Sequence, residues 1–158
     1  MAVYVPFAVA NGESGTGESR ALVNKGVNIV KNSDLHFGDF IAGGQKSTYQ
    51  IEESSGVLIQ KKGNAISIGG THGRASFTAF GSPFAKVRLK VEDNKIDLVR
   101  DGGTETMKVD KFSLDGKKDQ LLSSTGQATY YIGAELEIGA NQVSGSYRGT
   151  FAVTIDYQ

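Results

Sequence analysis

A chain of 158 residues without cysteine is long enough to bury a substantial core, and it can form neither a disulfide nor a thiolate metal site. Its 17 basic and 17 acidic residues cancel, so it lacks the excess positive charge of a nucleic-acid-binding protein. Its 21 glycines, two prolines and lack of tryptophan favour short strands joined by tight turns. No stretch approaches the roughly 20 apolar residues of a membrane-spanning helix.

The chain begins with an apolar segment, residues 2–10, whose alternation predicts a half-buried strand. Four residues form its apolar face: Val3, Val5, Phe7 and Val9. The polar, glycine-rich residues 11–19 that follow have the composition of a flexible tether. The segment lacks the basic start of a signal peptide, and we interpret Met1 as a start residue before a mature secreted sequence. Two interpretations remain open, because the strand can pair within its own domain or insert into another copy of the chain.

Alternating apolar residues separated by turn residues predict a series of short strands after the tether. Three pairs of such runs have the spacing of hairpins and cover residues 27–37, 57–68 and 87–98. Further strands are predicted at 75–80, 107–112 and 130–138. We expect a bulge or bend in the last of these at Gly133. The only candidate for a helix, 46–53, is weakly supported.

The strongest strand prediction covers residues 147–157, where apolar residues occupy the odd positions and polar residues most of the even ones. This pattern is typical of a strand with one buried and one solvated face. Strands at intervals of about ten residues without intervening helices indicate an antiparallel β-sandwich or barrel. We therefore predict an all-β fold, with residues 1–19 as N-terminal strand and tether and residues 20–158 as a single domain.

Four motifs are spread over residues 26–158: Leu35-His-Phe-Gly38 followed by Ala42-Gly-Gly44, Ala75-Ser-Phe-Thr-Ala-Phe-Gly81, Ile132-Gly-Ala-Glu-Leu136 and Gly145-Ser-Tyr-Arg-Gly-Thr-Phe-Ala-Val-Thr-Ile-Asp-Tyr157. They resemble those of a bacterial family of pilin-like domains of unassigned function, which is similar in layout to chaperone–usher pilus subunits. The C-terminal motif is the most specific of them. The resemblance implies an immunoglobulin-like antiparallel β-sandwich that lacks its last strand and is completed by the N-terminal strand donated by the next subunit.

The resemblance also assigns residues to the two sides of such a link. The donor residues would be Val3, Val5, Phe7 and Val9, and the strand lining the acceptor groove would contain Tyr147, Phe151, Val153, Ile155 and Tyr157. The chain departs from many such pilins because it has no disulfide. It also carries Pro6 within the donor segment, which is tolerated only if a backbone N–H at that position would point away from the partner strand.

The function implied by the resemblance is that of a non-enzymatic structural subunit of an extracellular fimbria-like or pilus-like filament, with a role in adhesion or biofilm. Such a subunit would be exported through the periplasm with the help of a periplasmic chaperone and an outer-membrane usher, and would form a homopolymer by strand donation. The alternative is a monomeric secreted β-sandwich binding module for a glycan or surface ligand, with the N-terminal strand in its own sheet.

The residues offer little support for an enzyme. We interpret the two histidines, His36 and His72, as solvated or locally hydrogen-bonded, and no nucleophile-elbow motif is present. The glycine-rich stretch 69–73 lacks the Lys-Ser/Thr of a phosphate-binding loop. The acidic stretches 93–97 and 115–119 lack the spacing of a calcium-binding loop. The sequence therefore predicts no catalytic, cofactor or metal site.

Overall fold

The computed structural model describes Ala21 and residues 26–158. This part of the chain contains no helix, and all its strand pairings are antiparallel, which confirms the predicted all-β fold class. The strands are β1 (Asn28–Ser33), β2 (His36–Ile41), β3 (Ser47–Ile51), β4 (Leu58–Lys62), β5 (Ile66–Gly73), β6 (Ala75–Phe80), β7 (Lys86–Val91), β8 (Lys95–Arg100), β9 (Thr106–Leu114), β10 (Asp119–Leu121), β11 (Gln127–Ile138), β12 (Tyr147–Arg148) and β13 (Val153–Tyr157). The described residues therefore provide no helix long and apolar enough to span a membrane.

The largest sheet is organised around the long strand β11. Its strands follow the order β1-β6-β11-β9-β8-β12, and β3 also pairs with β11 and carries β4 on its other side. Along one edge of β11, residues 127–132 pair with β6 and residues 134–138 pair with β3. Gly133 lies at this junction, where a Cβ atom would overlap the carbonyl oxygen of Ile51. The register with β9 shifts between Gly133 and Glu135, which confirms the expected bulge.

Two smaller sheets contribute to two hydrophobic clusters on the large sheet. The sheet β10-β7-β13 shares the first cluster with β6 and β11, and its buried members are Ala75, Phe77, Ala79, Val87, Leu89, Leu122, Tyr130 and Ile132. The ribbon β2-β5 lies at the second cluster, with buried residues Phe37, Tyr49, Ile51, Ala65, Val109, Ala134, Leu136 and Ile138. Side chains at every second position of β11 thus contribute to the first cluster in one half of the strand and to the second cluster in the other half. The arrangement is sandwich-like.

The three predicted hairpins are wrong, although the strands within them exist. β1 pairs with β6 and β2 with β5; β4 pairs with β3; β7 lies in the small sheet while β8 lies in the large one. The chain crosses between sheets at each predicted turn. Period-two alternation identifies which face of a strand is buried, but it carries no information about the pairing partner. The weakly supported helix at 46–53 is also wrong, since most of that segment forms strand β3.

The predicted strand over 147–157 is interrupted. Residues 147–148 form β12 and pair with β8 in the large sheet, whereas residues 153–157 form β13 and pair with β7 in the small sheet. The crossing is fixed by the backbone N–H of Ala152, which donates to Asp93 Oδ2 at 2.9 Å. Tyr147 therefore belongs to a different sheet from the residues with which the sequence grouped it.

Candidate functional site

Strand β13 lies at the edge of the small sheet, and among residues 26–158 only β7 pairs with it. Val153, Ile155 and Tyr157 are partly buried, whereas Thr154 and Asp156 are exposed. This alternation confirms the predicted two-faced character of the strand over 153–157. The outer face is polar, and on it the Thr154 hydroxyl donates to Glu92 Oε1 at 2.6 Å. The inner face is apolar and points toward the first cluster.

The hydrogen bonds at the two ends of β13 establish the direction of its backbone groups. The N–H of Glu92 donates to the carbonyl of Ala152, and the N–H of Gln158 donates to the carbonyl of Lys86, both at 2.9 Å. Because an antiparallel ladder repeats every second residue, the even-numbered residues of this stretch direct their N–H and C=O groups toward β7. Val153 and Ile155, whose side chains face the core, direct theirs to the opposite side.

The apolar side chains beside this edge are only partly buried. Val153 and Ile155 pack against the first cluster together with Phe151, which precedes β13, with Val27, which precedes β1, and with Ile29 of β1. Within the part of the chain that the structure describes, β1 is the edge strand of the large sheet, and it approaches β13. We call these five residues and the β13 backbone the acceptor edge. It combines backbone groups directed away from β7 with apolar surface that further contact could bury, the two elements of recognition by strand addition.

Aromatic contacts and one tyrosine hydroxyl fix the ends of the acceptor edge. The ring of Phe151 lies 5.0 Å from that of Phe112 and 6.2 Å from that of Phe77, the latter in an edge-on arrangement. At the other end, the backbone N–H of Ser82 donates to the hydroxyl oxygen of Tyr157 at 2.9 Å. The edge is therefore held in place by two aromatic side chains of the large sheet and by the loop that follows β6.

The structure brings four of the five predicted acceptor residues together and leaves out the fifth. Val153, Ile155 and Tyr157 lie on β13, and Phe151 lies just before it. Tyr147 lies in β12, where its hydroxyl donates to the carbonyl of Val143 at 2.5 Å. The predicted donor residues Val3, Val5, Phe7 and Val9 lie outside the described residues. The sequence analysis missed Val27 and Ile29 as part of the site; their alternation was visible, but not their proximity to β13.

An ion pair ties the central strand of the small sheet to β10. Arg88 donates to Asp119 from Nε to Oδ1 at 2.5 Å and from Nη2 to Oδ2 at 2.9 Å, and Lys86 lies 3.5 Å from Oδ2. The hydrogen bond from Arg88 is the main cause that lowers the pKa of Asp119 from its ordinary value of 3.8 to about 2. Strand β7, which pairs with β13 on one edge, is thus held to β10 on its other edge by a charge-assisted contact.

We expect Asp119→Asn to destabilise the protein at neutral pH but not at pH 2. The folded-state pKa of Asp119 is depressed, so its contribution is present above about pH 4 and lost as the pH falls toward about 2. Urea unfolding at pH 7, 4 and 2 measures the difference in unfolding free energy between the two proteins, and other carboxyl groups cancel in that difference. A difference that stays constant down to pH 2 would contradict this assignment.

A second candidate site lies between β4 and β5. Residues 63–65 join the two strands, which diverge because β4 pairs with β3 and β5 with β2. The resulting cleft has a volume of about 570 Å³, and its lining includes Val57, Gln60, Asn64, Ile66, Ser67 and His72. Ile66 and Ile68 are each 60% exposed beside it. Its lining thus combines apolar and hydrogen-bonding groups. His72 is an exposed residue of strand β5.

Comparison with known proteins identifies one family. The pattern of a family described as a domain of unknown function (DUF4402) matches residues 27–157, a range that extends from the residue before β1 to the last residue of β13. No curated protein and no solved structure matches the chain. The match includes every strand described above, with both sides of the acceptor edge.

Proposed function

The chain belongs to the DUF4402 family of domains, and we propose that it is a structural subunit of an extracellular, fimbria-like filament. In this proposal the N-terminal segment of one subunit inserts along the acceptor edge of the next. The observation that carries the proposal is that β13 presents core-facing but incompletely buried apolar side chains together with backbone groups directed away from β7. An added strand would cover these side chains and form hydrogen bonds with these backbone groups.

The proposed donor and acceptor have matching patterns. Residues 3–9 and residues 151–157 each place four apolar side chains at every second position. Residues 1–10 contain no charged side chain, so their insertion would bury no unpaired charge. Full burial of three valines and one phenylalanine contributes on the order of 6–12 kcal/mol as an upper bound, against which the entropy of association and ordering must be set.

The proposal extends to the fold, the partners and the location of the protein. The sandwich would be immunoglobulin-like with one strand missing, and the donated strand would supply it. Because an unfilled acceptor edge exposes apolar surface and strand backbone, a monomer in transit would need protection, which supports a periplasmic chaperone and an outer-membrane usher as partners. The assembled subunits would form a cell-surface filament with a role in adhesion or biofilm.

We expect Ile155→Lys to abolish filaments, because a cation in the acceptor edge would oppose the apolar face of an incoming strand. Thr154→Lys is the matched control, since the same side chain is added one residue earlier on the exposed face. Electron microscopy and light scattering of the full-length proteins over a range of concentrations measure assembly, and circular dichroism verifies folding. Equal assembly by both folded variants would contradict the proposed acceptor edge.

The alternative is a monomeric binding module for a glycan or another surface ligand, and the cleft between β4 and β5 is the observation in its favour. In that case the N-terminal strand would complete its own sheet. The concentration dependence of assembly separates the two functions. A full-length chain that remains monomeric at all concentrations and binds immobilised glycans would favour the alternative.

A further inference from the structure

The acceptor edge restricts which residues of an inserted strand can bond to it. Val153 and Ile155 have their side chains toward the core and their backbone groups toward the side of β13 that faces away from β7. In an antiparallel ladder, directly opposite residues exchange both hydrogen bonds and carry their side chains on the same face. The residues that bond to Val153 and Ile155 are therefore those whose own side chains face the core.

Applied to the proposed donor segment, this rule gives each residue a definite role. If the apolar face of residues 3–9 enters the core, Val5 and Phe7 bond to β13 through their backbone groups. The backbone of Pro6, between them, then points away from β13. The N–H that proline lacks is consequently not needed by the antiparallel ladder.

The opposite strand direction reverses this relation. In a parallel ladder, a residue does not bond to the residue directly opposite but to the two residues on either side of that one. Those two residues carry their side chains on the other face of the sheet. Val153 and Ile155 would then bond to donor residues whose side chains point away from the core. With the apolar face still in the core, Pro6 would then face β13, where its missing N–H would leave a backbone acceptor unpaired.

We propose, on the basis of the proposed function, that Pro6 is a specificity-determining residue of the inter-subunit link. It leaves the antiparallel ladder on β13 complete and disfavours parallel insertion of the same segment. Proline is thus placed at a position of the donor where it costs no bond to the acceptor, and the apolar face supplies the attraction. If insertion is antiparallel, the phase of the hydrogen bonds between β13 and β7 satisfies the requirement stated for Pro6 from the sequence.

A proline scan of the full-length chain tests which residues of the donor segment direct their backbone groups toward β13. Ala8→Pro, which has the phase of Pro6, should assemble as the unmodified chain does, with a midpoint concentration changed less than about threefold. Val5→Pro has the opposite phase and should lose assembly. Val5→Ala is its matched control, because it removes the apolar side chain but keeps the N–H, and it should retain partial assembly. Equal loss in Ala8→Pro and Val5→Pro, or tolerance of Val5→Pro, would overturn the inference.

Strand direction can be measured by cross-linking, since the chain has no cysteine of its own. Ala2→Cys chains are mixed with either Gln158→Cys or Ala152→Cys chains and oxidised. Antiparallel insertion should give the 2–158 product, and adding Pro6→Ala should raise the 2–152 share about fivefold, the equivalent of one hydrogen bond. An unchanged share would overturn the role of Pro6. Unmodified chains that never associate would overturn the proposed function itself, and the inference with it.

Discussion

Deletion of residues 1–17 should abolish filaments and leave a domain that aggregates on concentration. The deletion removes the proposed donor and keeps the acceptor edge, whose apolar side chains then remain uncovered. A synthetic peptide of residues 2–10, added at 100 times its dissociation constant, should stabilise the folded domain by about 2.7 kcal/mol. This corresponds to a rise of roughly 5–10 °C in Tm for a chain of this size.

A peptide in which Phe7 and Ala8 are exchanged is the matched control. It has the same composition and length, but its phenylalanine lies on the face that would point away from the core. It should raise the Tm much less than the native peptide. Equal shifts with both peptides would indicate general stickiness of the edge, and no shift at saturation with either would count against strand insertion.

The second large effect concerns Gly133, where alanine should destabilise the domain by more than about 4 kcal/mol or prevent folding. A Cβ atom there would overlap the carbonyl oxygen of Ile51 and lie 2.8 Å from the backbone nitrogen of Glu53. Both are backbone atoms at the junction of β3 with β11, so neither can move aside as a flexible side chain does. Urea unfolding measures the loss.

Gly44→Ala is the control for this substitution, because no atom lies within 4 Å of a Cβ atom built at Gly44. It should change the unfolding free energy by less than about 1 kcal/mol. If both alanine variants unfold at the same urea concentration, the close approach of β3 to β11 at Gly133 is not required for stability.

The strands themselves could be predicted from the sequence because apolar residues recur at every second position along most of them. The segment 75–80 was predicted to the residue and forms β6, and its alternate side chains are buried in the first cluster. Pairing could not be predicted in this way. The turn at Asp93-Asn94 is compatible with a hairpin and with a crossing between sheets. Which of the two forms depends on packing against residues distant in sequence.

The candidate site, too, could be predicted only in part. The faces of β13 could be predicted because its apolar and polar residues alternate strictly. The break before it could not, since the odd-position pattern continues from Tyr147 through Phe151 although the chain changes sheets between them. The sequence likewise predicts that the Ile29 side chain lies on the apolar face of its strand. Its position beside β13 could not be predicted, because it results from the pairing of β1 with β6.

The crossings between sheets have a consequence for how the domain folds. Among strands of residues 26–158, only β3 with β4 and β8 with β9 pair with a neighbour in the chain; Ile29 must meet Ala79, and Tyr49 must meet Leu136. Closing such long loops costs entropy before any contact repays it, and high contact order slows folding. We therefore expect slow folding, with strand edges exposed long enough for aggregation to compete.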